Sequence, residues 1–146
     1  MNLGLETLAV RIERHCQNAL EVATFLNDTS DIQAVYYLGL KTDRYHERMK
    51  KYTPEGASGV ISFDIAGGKE RAIKFMDALK LASNVVHVAD IRTCVLYPAS
   101  ETHRQLTDEQ LKDAGITPGL IRLSIGLEDI EDIIEDIRQA FDASRA

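Results

Sequence analysis

Tyr97 to Asp132, YPASETHRQLTDEQLKDAGITPGLIRLSIGLEDIED, places one arginine, Arg122, inside an otherwise apolar strand. Alternation in LIRLSIG sends Ile121, Leu123 and Ile125 to one face and Leu120, Arg122 and Ser124 to the other. The guanidinium therefore leaves the core from a rigid support. Its planar, permanently charged fork matches a carboxylate in a bidentate way. A strand arginine can equally be the partner of a neighbouring acid, and the local pattern leaves both readings open.

The flanks of this strand frame it. Pro98 has no N–H for a ladder and stops a preceding strand, Cys94 to Tyr97. Thr107 and Gln110 have capping-box spacing and start a short helix that Gly115 ends. Beyond the arginine strand, Glu128 and Asp129 complement the N-terminal dipole of a last helix, in which Ile130, Ile133, Ile134, Ile137 and Phe141 share one face. Upstream, Leu5, Leu8, Ile12, Cys16, Ala19, Ala23 and Leu26 recur every three or four residues and predict one long first helix over residues 1–26. IQAVYYLG and GVISFDIAG read as strands, HERMKKY as a short helix, ERAIKFMDALKLA as a helix with Ala72, Phe75, Met76 and Leu79 inward, and Val85 to Val88 as a further strand. The expected architecture is α+β: a two-layer sandwich in which a mostly antiparallel sheet of four or five strands carries helices mainly on one face. The other face should then meet a cleft or a second domain.

The chain has 146 residues, 45% of them hydrophobic and 27% charged, enough for one domain with one core. Its net charge of -6 disfavours a phosphate-backbone partner, so no nucleic acid is expected. No apolar run reaches bilayer length and no signal peptide opens the chain, so no membrane partner is expected and the location should be cytoplasmic. Cys16 and Cys94 form no disulfide or metal framework and read as small core residues in a reducing compartment. His15, His46, His87 and His103 lack ligand spacing, so no metal is expected. His15 reads as a helix-surface residue, and His103 as a residue tying a connection down through backbone hydrogen bonds, with direct catalysis as its alternative. EDIEDIIED reads as a solvated helix face.

Several segments together, LETLAVRIERHCQNALEVATFL, GVISFDIAGG, DALKLASNVVHVADIRTCVLYPAS, the PASETH turn and RLSIGLEDIEDI, resemble the C-terminal part of the cystathionine synthase and lyase (Cys/Met metabolism) family of fold-type I pyridoxal-phosphate enzymes. The likeness is greatest to its O-acetylhomoserine sulfhydrylase (O-acetylhomoserine thiol-lyase) branch. The resemblance implies that residues 1–146 are a C-terminal substrate-binding domain and that 1–26 is an interdomain helix. It implies that Arg122 grips the substrate's α-carboxylate, with Ser124 beside it and the loop at His87 and Val88 lining the same pocket. Where the family loop usually reads Asn or Ser, Val or Leu, Gly, and Asp or Gly, this chain has His87, Val88, Ala89 and Asp90. That departure fits either a branch variation or a change of substrate.

Enzymes of this class need a lysine to hold the cofactor's aldehyde, a cradle for its phosphate and an acid for its ring nitrogen. Lys41, Lys50, Lys51, Lys69, Lys74, Lys80 and Lys112 fall in polar loops or on charged helix faces, and no phosphate-binding fingerprint surrounds Gly67-Gly68. Neither catalytic nor cofactor-binding residues are therefore expected here. Pyridoxal phosphate is expected to sit on the chain's own N-terminal cofactor domain. The resemblance implies a parent sulfhydrylase, a homo-oligomer such as a tetramer, that makes homocysteine or methionine from an O-acetylhomoserine-like substrate and sulfide or a thiol, while the isolated chain is inactive. Cystathionine synthase or lyase and methionine γ-lyase are alternatives within the family. A stand-alone α+β module that binds or senses an amino acid is the alternative outside it.

Overall fold

The structure is a computed structural model describing residues 2–99, 103 and 105–145, without the side chain of Asp108. Its elements run α1 (Asn2–Glu6), α2 (Leu8–Asn27), β1 (Ile32–Tyr36), α3 (His46–Tyr52), β2 (Val60–Ile65), α4 (Gly68–Ala78), β3 (Ser83–Asn84), β4 (Cys94–Leu96), α5 (Asp108–Asp113), β5 (Leu120–Ser124) and α6 (Ile130–Ser144). The arginine strand β5 is the middle of a five-stranded sheet ordered β1-β2-β5-β4-β3. β5 is antiparallel to β2 and to β4, β1 is antiparallel to β2, and only β3 with β4 is parallel. The expected α+β sheet is what forms.

Alternation along β5 decides its register. Ile121, Leu123 and Ile125 are each fully buried, and burying a side chain of this kind contributes about 1.5–3 kcal/mol. A one-residue slip would exchange all three for Arg122 and its neighbours, so the register is strongly specified. The core they enter holds Ile61, Phe63 and Val95 from the flanking strands, Ala19, Val22, Ala23 and Leu26 from α2, Ala72, Phe75 and Met76 from α4, and Ile133, Ile137, Ala140 and Phe141 from α6. Phe75 links the layers: it meets Phe63 edge-on at 5.9 Å between centroids and Phe141 at 4.8 Å, separations at which aromatic pairs attract beyond their buried area.

The termini of these elements follow local chemistry. Thr107 and Gln110 form the expected capping box at α5, and Gly115 takes φ 74° just beyond its end. Asp129 caps α6, its side chain accepting from the Glu131 N–H. Glu128 does not act at that helix. Its two oxygens accept from the Thr93 N–H at 2.6 Å and the Thr93 hydroxyl at 3.0 Å, joining the exit of β5 to the entry of β4. Asp136 of α6 accepts from the N–H groups of Lys80, Leu81 and Ala82 at 2.8, 3.0 and 3.0 Å, which fixes the segment leading into β3.

Glu128 and Asp136 thus depart from the solvated face expected of EDIEDIIED, Asp136 being 7% exposed, and Cys16, expected in the core, is half-buried. Four further expectations change. The single first helix is interrupted at Thr7 into α1 and α2, and its N-terminal apolar stripe is not packed: Leu5 is 62%, Leu8 42% and Ile12 45% exposed. His15 is not a surface residue. It is 3% exposed, with Nδ1 donating to the Ile125 carbonyl at 2.6 Å. Beside it the Asn18 amide donates to Gly126 O at 3.1 Å and Glu128 O at 3.0 Å, so a polar pair on α2 satisfies the carbonyls where β5 ends. Leu79, expected inside α4, is the residue just past its end, with extended backbone, and is half-buried against the core. Finally, Val85 to Val88 is not a strand. The Val85 N–H still reaches Val95 O, but the carbonyls of Val86 and His87 then turn to the Arg122 side chain. Val86 and Val88 are 57% and 56% exposed, so no apolar burial holds that run in the sheet.

Candidate functional site

Residues directly opposite one another in an antiparallel pair share a sheet face. Arg122 lies opposite Ser62 of β2 and Leu96 of β4, and Ser62 lies opposite Tyr36 of β1. Tyr36, Ser62, Arg122 and Leu96 therefore form one row across the face away from the helices. A second row runs Val60, Ser124, Cys94. Over β4 and β5 this face is covered by the loop 85–92, which sets how far the guanidinium can reach.

Arg122 is half-buried. Its Nη2 donates to Val86 O at 3.1 Å and His87 O at 3.5 Å, which orients the guanidinium against the loop. Its Nε is buried without a hydrogen-bond partner. Among the described residues no carboxylate lies within ion-pair distance of it. The ion-pair reading of this strand arginine thus has no partner on the described surface. An unpaired N–H beside a fixed positive charge is costly unless a ligand completes it.

The loop residues are placed as follows. Ser124 is 2% exposed, and its hydroxyl accepts from the Ala89 N–H at 3.0 Å, so it shapes the loop from beneath. Ala89 has φ 60°, the left-handed region that costs an L-residue about 1–2 kcal/mol. Such a backbone persists when the surroundings over-determine it, and the Ser124 bond is one such constraint. His87 and Val88 stand exposed just before the turn at Ala89. The His87 Nδ1 donates to Asp90 Oδ2 at 3.2 Å. Arg92 and this histidine hold the Asp90 carboxyl down at about 2, the Arg92 backbone N–H being the largest contributor.

His103 is exposed, and its backbone N–H donates to Pro98 O at 2.9 Å, a bond that helps close the connection after β4. Ser100, Glu101 and Thr102 of the PASETH segment lie outside the described residues. His46 opens α3 with Nδ1 donating to Leu38 O at 3.0 Å.

Sequence reading missed the neighbouring part of this face. Next to Val60 lies a cavity of about 310 Å³ lined by Tyr36, Tyr37, Leu38, Asp43, Arg44, Tyr45 and Ser58 as well. Tyr36 donates to Asp64 Oδ2 at 3.2 Å, and burial above all pushes its phenol up from the usual value. Arg44 stacks over the Tyr45 ring at 4.6 Å. The available signal was the outward half of the alternation in IQAVYY and GVISFDI, which places Tyr36, Val60 and Ser62 beside Arg122.

All seven lysines, Lys41, Lys50, Lys51, Lys69, Lys74, Lys80 and Lys112, are exposed. A lysine that must react with an aldehyde needs a desolvated setting to be nucleophilic. The residues of this chain therefore suit a carboxylate and do not suit the anchoring of a pyridoxal group.

Residues 1–142 match the Cys/Met metabolism PLP-dependent enzyme family. The chain is 46% identical to an O-acetyl-L-homoserine sulfhydrylase of Leptospira meyeri over 94% of its own length and 31% of the relative's. It is 45% identical to a homocysteine synthase of Schizosaccharomyces pombe, covering 97% of this chain and 33% of that one. An L-methionine gamma-lyase of Fusobacterium nucleatum is also 45% identical, with 95% and 35% covered. Among solved structures, a putative O-acetylhomoserine (thiol)-lyase from Campylobacter jejuni, carrying an N'-pyridoxyl-lysine-5'-monophosphate, superposes with a TM-score of 0.90 at 46% identity over 96% of this chain and 33% of that one. The chain thus spans about a third of the length of the relatives it matches.

Proposed function

Because the chain belongs to the Cys/Met metabolism PLP-dependent enzyme family, we propose that it supplies the substrate-binding part of an O-acetylhomoserine sulfhydrylase, which makes homocysteine or methionine from O-acetylhomoserine and sulfide or a thiol. The observation that carries this reading is Arg122: a half-buried cation on a rigid strand, oriented by two backbone carbonyls, with a buried unpaired Nε and no acid beside it among the described residues.

In this reading Arg122 takes the α-carboxylate of the amino acid through charge-assisted hydrogen bonds. Tying Nη2 to Val86 O and His87 O removes the side-chain freedom that binding would otherwise have to remove. Val88 and His87 form the wall of the site. Ser124 holds that wall in place through the Ala89 N–H. The cofactor supplies electron withdrawal at the substrate's α-carbon when bound. The lysine that anchors it is assigned to a portion of the enzyme outside these 146 residues, an N-terminal cofactor domain. The exposed apolar residues of α1 and the start of α2, Leu3 at 82%, Leu5 at 62% and Val10 at 71%, then form an interdomain contact or the contact between subunits of a homo-oligomer. A cytoplasmic setting belongs to the same reading, in keeping with Cys16 and Cys94 both being free.

Methionine γ-lysis is the second reading, favoured by the identity to the Fusobacterium relative. Every substrate in question carries the same α-carboxylate, so Arg122 does not discriminate between them. Assaying the complete enzyme with O-acetylhomoserine plus sulfide, and separately with methionine alone, does. Homocysteine formation in the first assay is the expected result. Thiol release only from methionine would transfer the assignment to the lyase. Amino-acid binding without turnover of either would make the chain a binding module.

A further inference from the structure

We propose that His87, Asp90 and Cys94 form a binding site for a thiophilic divalent cation, zinc above all, at the lip of the Arg122 cleft. A ring nitrogen of His87, a carboxylate oxygen of Asp90 and the Cys94 sulfur all lie within 4.8 Å of one another. These are the donor types that zinc selects: imidazole, carboxylate and thiolate. The spacing His-x-x-Asp-x-x-x-Cys matches no short motif, which is why the chain sequence read as free of metal sites. The loop 85–92 creates the site by turning back over β4 at Ala89.

The geometry is close to what a tetrahedral ion requires. Metal–ligand bonds of about 2.0–2.1 Å to nitrogen or oxygen and about 2.3 Å to sulfur set ligand–ligand edges of about 3.3 Å and about 3.6 Å. His87 Nδ1 and Asp90 Oδ2 already stand at 3.2 Å. The sulfur, within 4.8 Å of its partners, has to close by at most about 1.2 Å to reach that tetrahedral edge. Register puts Cys94 opposite Ser124, with its side chain on the cleft face under the loop, where its thiol donates to Arg92 O at 3.4 Å.

Asp90 is preoriented for this role. Its Oδ1 accepts from the Arg92 N–H at 3.0 Å, which leaves Oδ2, the present acceptor of the His87 proton, to take the ion. The contacts of Arg92 Nε and Nη2 with Asp90 are long, 3.4 and 3.5 Å, and that side chain is 63% exposed, so it can withdraw into water. The ion takes the place of the proton that His87 Nδ1 now donates to Asp90. That proton moves to Nε2, and Cys94 releases its own to solvent as it becomes a thiolate. One thiolate and one carboxylate then neutralise the dication, and the fourth position stays open for water or a small sulfur ligand. Burial raises the Cys94 thiol above its usual value, Asp90 adds to this, and Arg92 and Arg122 oppose it.

Titration calorimetry of Zn²⁺ into the 146-residue chain tests the site, run in two buffers of different protonation enthalpy. The expected result is a 1:1 complex that releases about one proton per ion near neutral pH. Co²⁺ should give a thiolate-to-metal charge-transfer band. Cys94→Ser should abolish the band, and His87→Ala should weaken Zn²⁺ binding by more than the roughly 10–100-fold typical of losing an outer partner. Cys16→Ser should change neither. His87 is exposed, so its variant keeps the test valid if Cys94→Ser fails to fold. Absence of the cobalt band in the unaltered chain, or zinc affinity indifferent to His87→Ala, overturns the proposal.

Discussion

Replacing Arg122 by Ala removes a charge that the described residues leave without a counter-ion. Two charge-assisted bonds to a carboxylate, at about 1.5–3 kcal/mol each, bound the loss from above. The half exposure of the site discounts it, because solvent screens the pair. The expected loss in kcal/mol is therefore about 2–4, or roughly thirty- to a thousand-fold in kcat/KM for the amino-acid substrate of the complete enzyme. It should appear mainly as raised KM, since the carboxylate is equally charged in ground and transition states. Arg122→Lys should recover only part, because a point charge cannot reproduce the fork. The structure also sets a limit on the folding effect. The carbonyls of Val86 and His87 lose their donor but lie on an exposed loop, where water replaces it, so stability should fall by no more than about 1–2 kcal/mol. Steady-state kinetics beside urea unfolding separate the two effects. Unfolding of Arg122→Ala with normal kcat/KM in the surviving enzyme would refute the carboxylate role and make Arg122 structural.

Three further outcomes test the scaffold. A Cβ on Gly126 would sit 2.5 Å from the Arg92 carbonyl carbon and from the Thr93 nitrogen, both backbone, so Gly126→Ala should cost about 1–3 kcal/mol; an unchanged urea midpoint would contradict the packing of β5's exit against β4. Ala89→Gly should raise the unfolding free energy by up to about 1 kcal/mol and the urea midpoint with it, the left-handed cost relieved less the added chain entropy of glycine; a lower midpoint would show that the Ala89 methyl group contributes packing. Arg145, then Arg71, holds the buried Asp31 carboxyl below its usual value, against its desolvation. A carboxyl lowered in the folded state contributes stability above its unfolded pKa of about 3.9 and loses it as pH falls through the folded value. Thermal melts of Asp31→Asn should thus differ most from the unaltered chain near neutrality and converge below about pH 4; a gap independent of pH would remove the linkage.

Where local chemistry alone dictates structure, the sequence was readable. The alternation about Arg122, the Thr107–Gln110 box and the Asp129 cap of α6 all behave as their residues require. The remainder depends on distant contacts. His15 is buried because the Ile125 carbonyl, 110 residues away, needs a donor where β5 ends, and nothing near His15 encodes that need. Val85 to Val88 has a strand's composition, but Arg122 competes for its carbonyls and solvent keeps its valines. The apolar stripe of the first helix was correctly periodic, yet periodicity does not say what covers it, and Leu5, Leu8 and Ile12 stay exposed on this chain. The grouping of His87, Asp90 and Cys94 likewise arises only when the loop turns at Ala89.

The most direct test of the carboxylate site is an experimental structure of the complete enzyme with O-acetylhomoserine or an unreactive analogue bound. The account predicts one α-carboxylate oxygen about 2.7–2.9 Å from Arg122 Nε or a terminal nitrogen of its guanidinium, with Val86 O and His87 O still holding the side chain. A carboxylate bound elsewhere, with Arg122 paired to an acid of its own protein, would contradict it.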